Sequence, residues 1–272
     1  MLLVLNGFYL FEDFSCLAQN RTVIGLDLRN RGRSEWLRDA AKLARGVQQD
    51  ADDLEAVRRH FGVERLDLLA HSYAGLIPVL YAQRHPSRVR RIIQISPMPP
   101  DTARQYPEHL RNHDGELEEF VAGVGKLQER GQTLSPAEFC REFWTLLRPL
   151  YVFDPVDAAR IRHWEACHLS TELNFMRYWS EFLLPSIERL VFTEEEVTGV
   201  TMPVLVIHGT KDRSAAYGGG REWALRLPNA RLLTVEDAAH APWIEASGEV
   251  VGPIQGFLGG VWPEGTEKVD AL

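Results

Sequence analysis

Apolar residues along this chain fall in short unbroken runs, each ended by Gly, Asp, Ser or His. The runs are "LLVL" (2–5), "VIGLD" (23–27), "LDLLA" (66–70), "IIQI" (92–95), "VLVIH" (204–208) and "RLLTV" (231–235). A strand buried on both faces has no wet side to alternate with, so an unbroken run predicts a strand of a parallel sheet. Between residues 45 and 61 the pattern changes. Val47, Ala51, Leu54, Val57 and Phe61 recur at three- and four-residue spacing, which gives a helix one apolar face. Alternation of the two patterns predicts an α/β fold: a mostly parallel sheet flanked by helices, joined by right-handed crossovers.

Residues 98–198 break the alternation. "SPMPPD" opens this region, and the residues after it read as helices rich in aromatic side chains, among them Phe143, Trp144, Tyr151, Phe153, Trp164, Phe175, Tyr178 and Trp179. Strand patterning resumes at "MPVLVIHG". The expected organisation is a core made of residues 1–97 and 199–262, a helical cap over 98–198, and a polar, frayed tail over 263–272.

Composition narrows the partners. The 272 residues carry a net charge of −8 with no basic cluster, which argues against nucleic acid. Glu194-Glu195-Glu196 reads as a solvated face. No apolar run is long enough to span a membrane. "MLLVLNGFYLF" lacks a basic flank and a cleavage site, and reads as a buried strand, not a signal peptide. Cys16, Cys140 and Cys167 are odd in number and widely spaced, which predicts reduced thiols in a cytoplasmic protein.

Candidate chemistry sits at the ends of the predicted strands. Ser72 lies between a strand-like and a helix-like run, in Ala70-His71-Ser72-Tyr73-Ala74. Small residues two before and two after a serine relieve crowding at a sharp strand-to-helix turn, the logic of a nucleophile elbow. A helix-capping serine is the alternative. A serine hydroxyl needs a base, and the base needs an orienting group. Asp212 follows the strand at 204–208 and His240 follows the strand at 231–235, so the order is Ser, acid, His. The ends of such strands share one edge of the sheet, where the three side chains can converge. His71 is expected to point away from the chemistry.

These segments together resemble the α/β-hydrolase fold superfamily, in its branch of proline iminopeptidases and small esterases. "LVLNGF" is similar to the oxyanion-loop motif, "VIGLDLRNRGRS" to the D-x-R-G-x-G-x-S segment, and "LLAHSYAGLIPVLYAQRHP" to the elbow and its helix. "PVLVIHGTKD" and "AAHAPWIE" resemble the acid and histidine loops. The resemblance implies Ser72 as nucleophile, His240 as base, Asp212 as its orienting partner, and the backbone N–H groups of Phe8 and Tyr73 as oxyanion donors. It also implies a cap that shapes the pocket. Asn6, Asn30 and Ala239 depart from residues usual in the family, and Pro78 is expected to kink the elbow helix. The β-hairpin usual before "LVLNGF" does not stand ahead of it: either the protein lacks those edge strands, which would expose a sheet edge and invite homo-oligomers, or the reading frame starts too late.

In the cap, the Trp164-Glu165 pair resembles the iminopeptidase segment whose carboxylate binds a substrate amine, with Glu172 as a second candidate. Trp144 is a further candidate for substrate contact. The expected activity is hydrolysis of an ester, thioester or lactone of a small to medium apolar substrate, without cofactor or metal. An aminopeptidase, an acyltransferase and a weakly catalytic ligand sensor are the rival readings. His109, His113 and Asp114 are expected to be surface polar residues, and "YGGGREWA" a flexible loop before a helix.

Overall fold

The computed structural model describes residues 1–111, 115–131 and 133–272, with the backbone alone at 115–117. Seven strands form one sheet: β1 (Leu2–Leu5), β2 (Val23–Leu26), β3 (Leu66–His71), β4 (Val89–Ile95), β5 (Val204–Gly209), β6 (Ala230–Val235) and β7 (Thr266–Glu267), in the order β2-β1-β3-β4-β5-β6-β7. All neighbours pair in parallel except β6 and β7. The principal helices are α1 (Gly7–Phe14), α2 (Val47–His60), α3 (Leu76–Arg84), α4 (Gly115–Arg130), α5 (Pro136–Leu147), α6 (Tyr217–Arg226) and α7 (Ser247–Leu258).

The predicted strands appear where the unbroken apolar runs lie, and their burial explains why. Side chains of a strand alternate between faces. Leu3, Leu5, Leu66, Leu68, Val204 and Val206 join one core layer, which α2 and α3 cover. Leu2, Val4, Leu69, Ile93, Leu205 and Ile207 join the other, with residues of α1 and α7. Each central strand therefore fills two cores and has no position for a polar residue without a partner. Strand β2 is an edge, and its four residues are half-buried or exposed.

Between β4 and β5 the described residues hold helices only, from the short turn Glu108–Leu110 to Glu194–Thr198. A capping box starts α5: the Ser135 hydroxyl accepts from Glu138 N–H, and the Glu138 carboxylate accepts from Ser135 N–H. The inner face of α5 carries Cys140, Phe143 and Trp144.

The structure corrects four expectations. Cys140 and Cys167 form a disulfide with Cα atoms 5.7 Å apart, and Cys16 is the free, exposed cysteine. The helical turns of the cap bring together two thiols that are 27 residues apart in sequence. The cysteine argument for a reducing compartment is thereby removed. The tail is not frayed throughout: β7 pairs with β6, and Val269 is buried. "YGGGREWA" is not a loop but most of α6. Its glycines allow close approach: a Cβ on Gly220 would lie 2.3 Å from His208 Nδ1. Pro78 lies in the first turn of α3, where its missing N–H breaks no intrahelical bond, so the expected kink has no cause.

No helix among the described residues is long and apolar enough to cross a membrane.

Candidate active site

Strand β3 ends at His71, and the next residue, Ser72, takes φ 59°, in the left-handed region. For a residue with a Cβ this costs about 1–3 kcal/mol and persists only where the surroundings enforce it. Two contacts from β4 and the residues after it do so. The Ser72 carbonyl accepts from Met98 N–H at 3.1 Å, and buried Gln94 donates from Nε2 to the Gly75 carbonyl at 2.8 Å. A tight turn over Ser72–Gly75 then leads into α3. Ser72 lines a cavity of about 530 Å³ beneath the cap.

Asp212 and His240 are both fully buried at the ends of β5 and β6. His240 Nδ1 lies 2.8 Å from Asp212 Oδ2, so Nδ1 carries the proton toward the carboxylate. Asp212 Oδ1 accepts from the backbone N–H groups of Ser214 and Ala215, both at 2.8 Å. Burial alone would push the Asp212 carboxyl up. The imidazole of His240 and the hydrogen bonds from His208 and His240 outweigh it and hold Asp212 below the usual carboxylate range. His240 Nε2 is buried and has no hydrogen-bond partner among the described residues. The acid and histidine loops meet because residue 209 is glycine: a Cβ there would lie 2.2 Å from the Ala238 carbonyl oxygen.

Two histidines that the motif reading did not assign frame this pair. His208 Nε2 lies 2.9 Å from Asp212 Oδ2 and 3.0 Å from the Ala215 carbonyl. A carbonyl only accepts, so Nε2 bears the hydrogen. His71 does not point away from the site. Its Nε2 donates to the His240 carbonyl at 2.9 Å, its Nδ1 accepts from the Tyr9 hydroxyl at 3.0 Å, and its ring lies 4.4 Å from that of His240. Burial, then the neighbouring His240, keeps His71 well below the ordinary histidine range and therefore neutral. Because His71 adjoins Ser72, this bond ties His240 to the elbow. His208 offers one sequence signal, its four-residue spacing from Asp212, but it ends an apolar strand and gives no other.

A buried ion pair reaches the cavity through Arg31. Arg31 donates from Nε and Nη2 to Glu172 at 3.0 and 3.2 Å, and from Nη1 to the Tyr73 hydroxyl at 2.9 Å. Its guanidinium lies 3.8 Å from the centroid of the Phe175 ring. Glu172 also accepts from Gly32 N–H at 2.7 Å. Asn6, left-handed at φ 57°, donates to the Tyr73 hydroxyl at 3.3 Å and links the loop after β1 to the elbow. Asn30 closes a second loop through two bonds with the Leu37 backbone.

The remaining predicted residues divide. Trp144 lines the Ser72 cavity together with Phe143, Phe175 and Trp179. Trp164 and Glu165 do not. Glu165 is bound to Arg162 and lines a separate surface depression with it, and Trp164 is exposed. The 3-10 turn His163–Ala166 faces the cavity with His163 instead. The Phe8 N–H is not free for an oxyanion, because it donates to Asp27 Oδ1 at 2.6 Å. His113 and Asp114 lie outside the described residues, and His109 stands in the turn Glu108–Leu110. Among the described residues no group of three or more His, Cys, Asp or Glu is placed to hold a metal ion.

Known proteins share this architecture. A 3-hydroxybutyrate-oligomer hydrolase of Cupriavidus necator is 27% identical over 253 residues, covering 90% of this chain and 82% of that protein. A 2-hydroxymuconate semialdehyde hydrolase of Pseudomonas putida is 24% identical over 246 residues, covering 89% and 78%. The crystal structure of the enol-lactonase of Burkholderia xenovorans superposes with a TM-score of 0.67 at 22% identity, over 95% of this chain and 91% of that one. The family model of the alpha/beta hydrolase fold matches residues 4–247, and with that extent of match the chain belongs to the alpha/beta hydrolase family.

Proposed function

We propose that this hydrolase is a serine hydrolase that cleaves an ester, thioester or lactone of a small to medium apolar substrate through an acyl-enzyme. Ser72 attacks the carbonyl, His240 Nε2 takes its proton, and Asp212 holds the imidazole in the tautomer that leaves Nε2 free to accept. The N–H of Tyr73, the residue after the nucleophile, serves the oxyanion. His240 then returns the proton to the leaving oxygen or sulfur, and water releases the acyl group by the same steps reversed.

The observation that carries this reading is the buried Asp212–His240 pair, whose Nε2 has no partner among the described residues, tied through His71 to a left-handed Ser72 at the cavity. The aromatic lining supports an apolar substrate. The relatives named as hydrolases of a hydroxybutyrate oligomer and of a semialdehyde, and the lactonase of like fold, are compatible with it. An amine-binding carboxylate lacks support: Glu165 is outside the cavity, and Glu172 is spent on Arg31.

The test is a series of p-nitrophenyl esters from acetate to decanoate, run beside proline β-naphthylamide. Turnover of the esters, lost by at least a thousandfold in Ser72→Ala and absent for the amide, is expected. Cleavage of the amide, or ester turnover that survives Ser72→Ala, would overturn the reading.

A further inference from the structure

The proposed chemistry uses Ser72, Asp212 and His240 and gives no task to His163. This histidine lines the same cavity, is 5% exposed, and has no hydrogen-bond partner at either ring nitrogen among the described residues. A buried polar group normally has a partner, and leaving it without one costs free energy. The surroundings would suit a phenylalanine equally well. The ring packs against Tyr9 at 4.0 Å between centroids, stacks on Trp144 at 4.7 Å and 22°, and meets the edge of Tyr151 at 5.5 Å. An imidazole that lines a cavity from within an aromatic box, with both nitrogens buried and unserved, has the form of a ligand contact.

Its charge state limits the ligand. Burial, then the neighbouring Arg31 guanidinium and the His240 imidazole, pushes His163 down to about 3, so the ring is uncharged at neutral pH. A neutral imidazole presents one N–H donor and one lone pair. It pairs with a hydroxyl or keto oxygen. It gives a carboxylate no ion pair, and it offers an ammonium less than a free carboxylate would.

We propose that His163 is a specificity-determining residue that hydrogen-bonds a neutral oxygen substituent, hydroxyl or keto, on the part of the substrate that fills the aromatic cavity. This rests on the reading of that cavity as the substrate site of Ser72. The rigid stack fixes the direction of the bond, so the position of the oxygen along the substrate matters.

Ser72→Ala protein allows recognition to be read without turnover. Calorimetry would compare methyl 4-phenylbutanoate with its 2-hydroxy, 3-hydroxy and 4-oxo analogues. At least one oxygen-bearing ester should bind about tenfold more tightly than the parent, the worth of one buried hydrogen bond. Adding His163→Phe, which keeps the aromatic stack, should reduce that preference to within about twofold, and His163→Asn should restore part of it. In protein that retains His163, the preferred ester should also shift the imidazole ¹⁵N resonances of that residue while the parent does not, a readout independent of whether the variants fold. No preference for any oxygen-bearing ester, a preference that survives His163→Phe, or unmoved resonances would overturn the inference. Fluorophosphonate labelling of Ser72 in the wild-type protein reads the hydrolase assignment separately. Labelling without a preference removes only the inference, whereas a preference without labelling removes the hydrolase reading and leaves His163 as a ligand contact alone.

Discussion

His208 Nε2 lies 2.9 Å from Asp212 Oδ2, the same carboxylate oxygen that lies 2.8 Å from His240 Nδ1. Two buried donors thus meet one oxygen, and His208 supplies the second from strand β5. Their effect on Asp212 is to hold it ionised. Replacing His208 by Phe removes one donor and lets burial push the Asp212 carboxyl upward. The expected result is a drop in kcat/KM of about tenfold, with activity lost at a higher pH on the acid side than in the wild type. His208→Gln, which can place a donor near the same point, should recover much of both. A pH–rate profile of the three proteins checks this.

The Arg31–Glu172 pair is buried on both sides, with side chains 3% and 1% exposed. Removing one partner leaves a charge in a dry site. Glu172→Ala should therefore destabilise the protein by about 3–5 kcal/mol in urea denaturation. Arg31→Met combined with Glu172→Leu should cost far less, because no unpaired charge remains. Equal losses in both proteins would show that packing, not charge, dominates there.

The disulfide joins α5, which presents Phe143 and Trp144 to the cavity, to the segment just after His163. Cross-linking a loop of this length stabilises by about 3 kcal/mol through the unfolded chain. Native protein treated with iodoacetamide should be alkylated at Cys16 alone, and at all three cysteines after reduction and unfolding. Cys140→Ser should lower Tm by several degrees. Alkylation of Cys140 in unreduced protein would contradict the bridge.

Asp50 is buried with one carboxylate oxygen lacking a hydrogen-bond partner among the described residues. Burial, then the neighbouring Asp53 carboxylate, raises it from its ordinary 3.8 to about 7. The folded state thus binds this proton more tightly than the unfolded chain. The resulting stability is fully present below about pH 4 and is lost as pH rises through 7. Asp50→Asn should flatten the fall of Tm between pH 5 and pH 8. A slope unchanged in the variant would remove Asp50 as its source.

The legibility of the chain followed its physics. Central strands are legible because burial on both faces favours unbroken apolar runs, as at residues 204–207, and the polar residue that follows in the same strand, His208, is bonded to Asp212. Ser72, Asp212 and His240 stand out in the sequence as candidates because each follows such a strand, and the structure pairs the last two. Arg31 and Glu172 are 141 residues apart and meet only once the cap has folded, and the same holds for Cys140 and Cys167. The three glycines at 218–220 read as a loop by propensity, but the lack of side chains is what lets α6 lie against His208, Tyr106 and Pro99. A Trp-Glu pair says nothing about which side of a turn faces the cavity, and Glu165 lies outside it.

The central claim is that His240 activates Ser72. The most direct measurement is reaction with a fluorophosphonate, with the adduct located by mass spectrometry in wild type, His240→Ala and Asp212→Asn. A single adduct on Ser72 in the wild type, abolished in His240→Ala and slowed by orders of magnitude in Asp212→Asn, is the predicted result. Folded wild-type protein that remains unlabelled, or labelling of Ser72 that is indifferent to His240, would contradict the account.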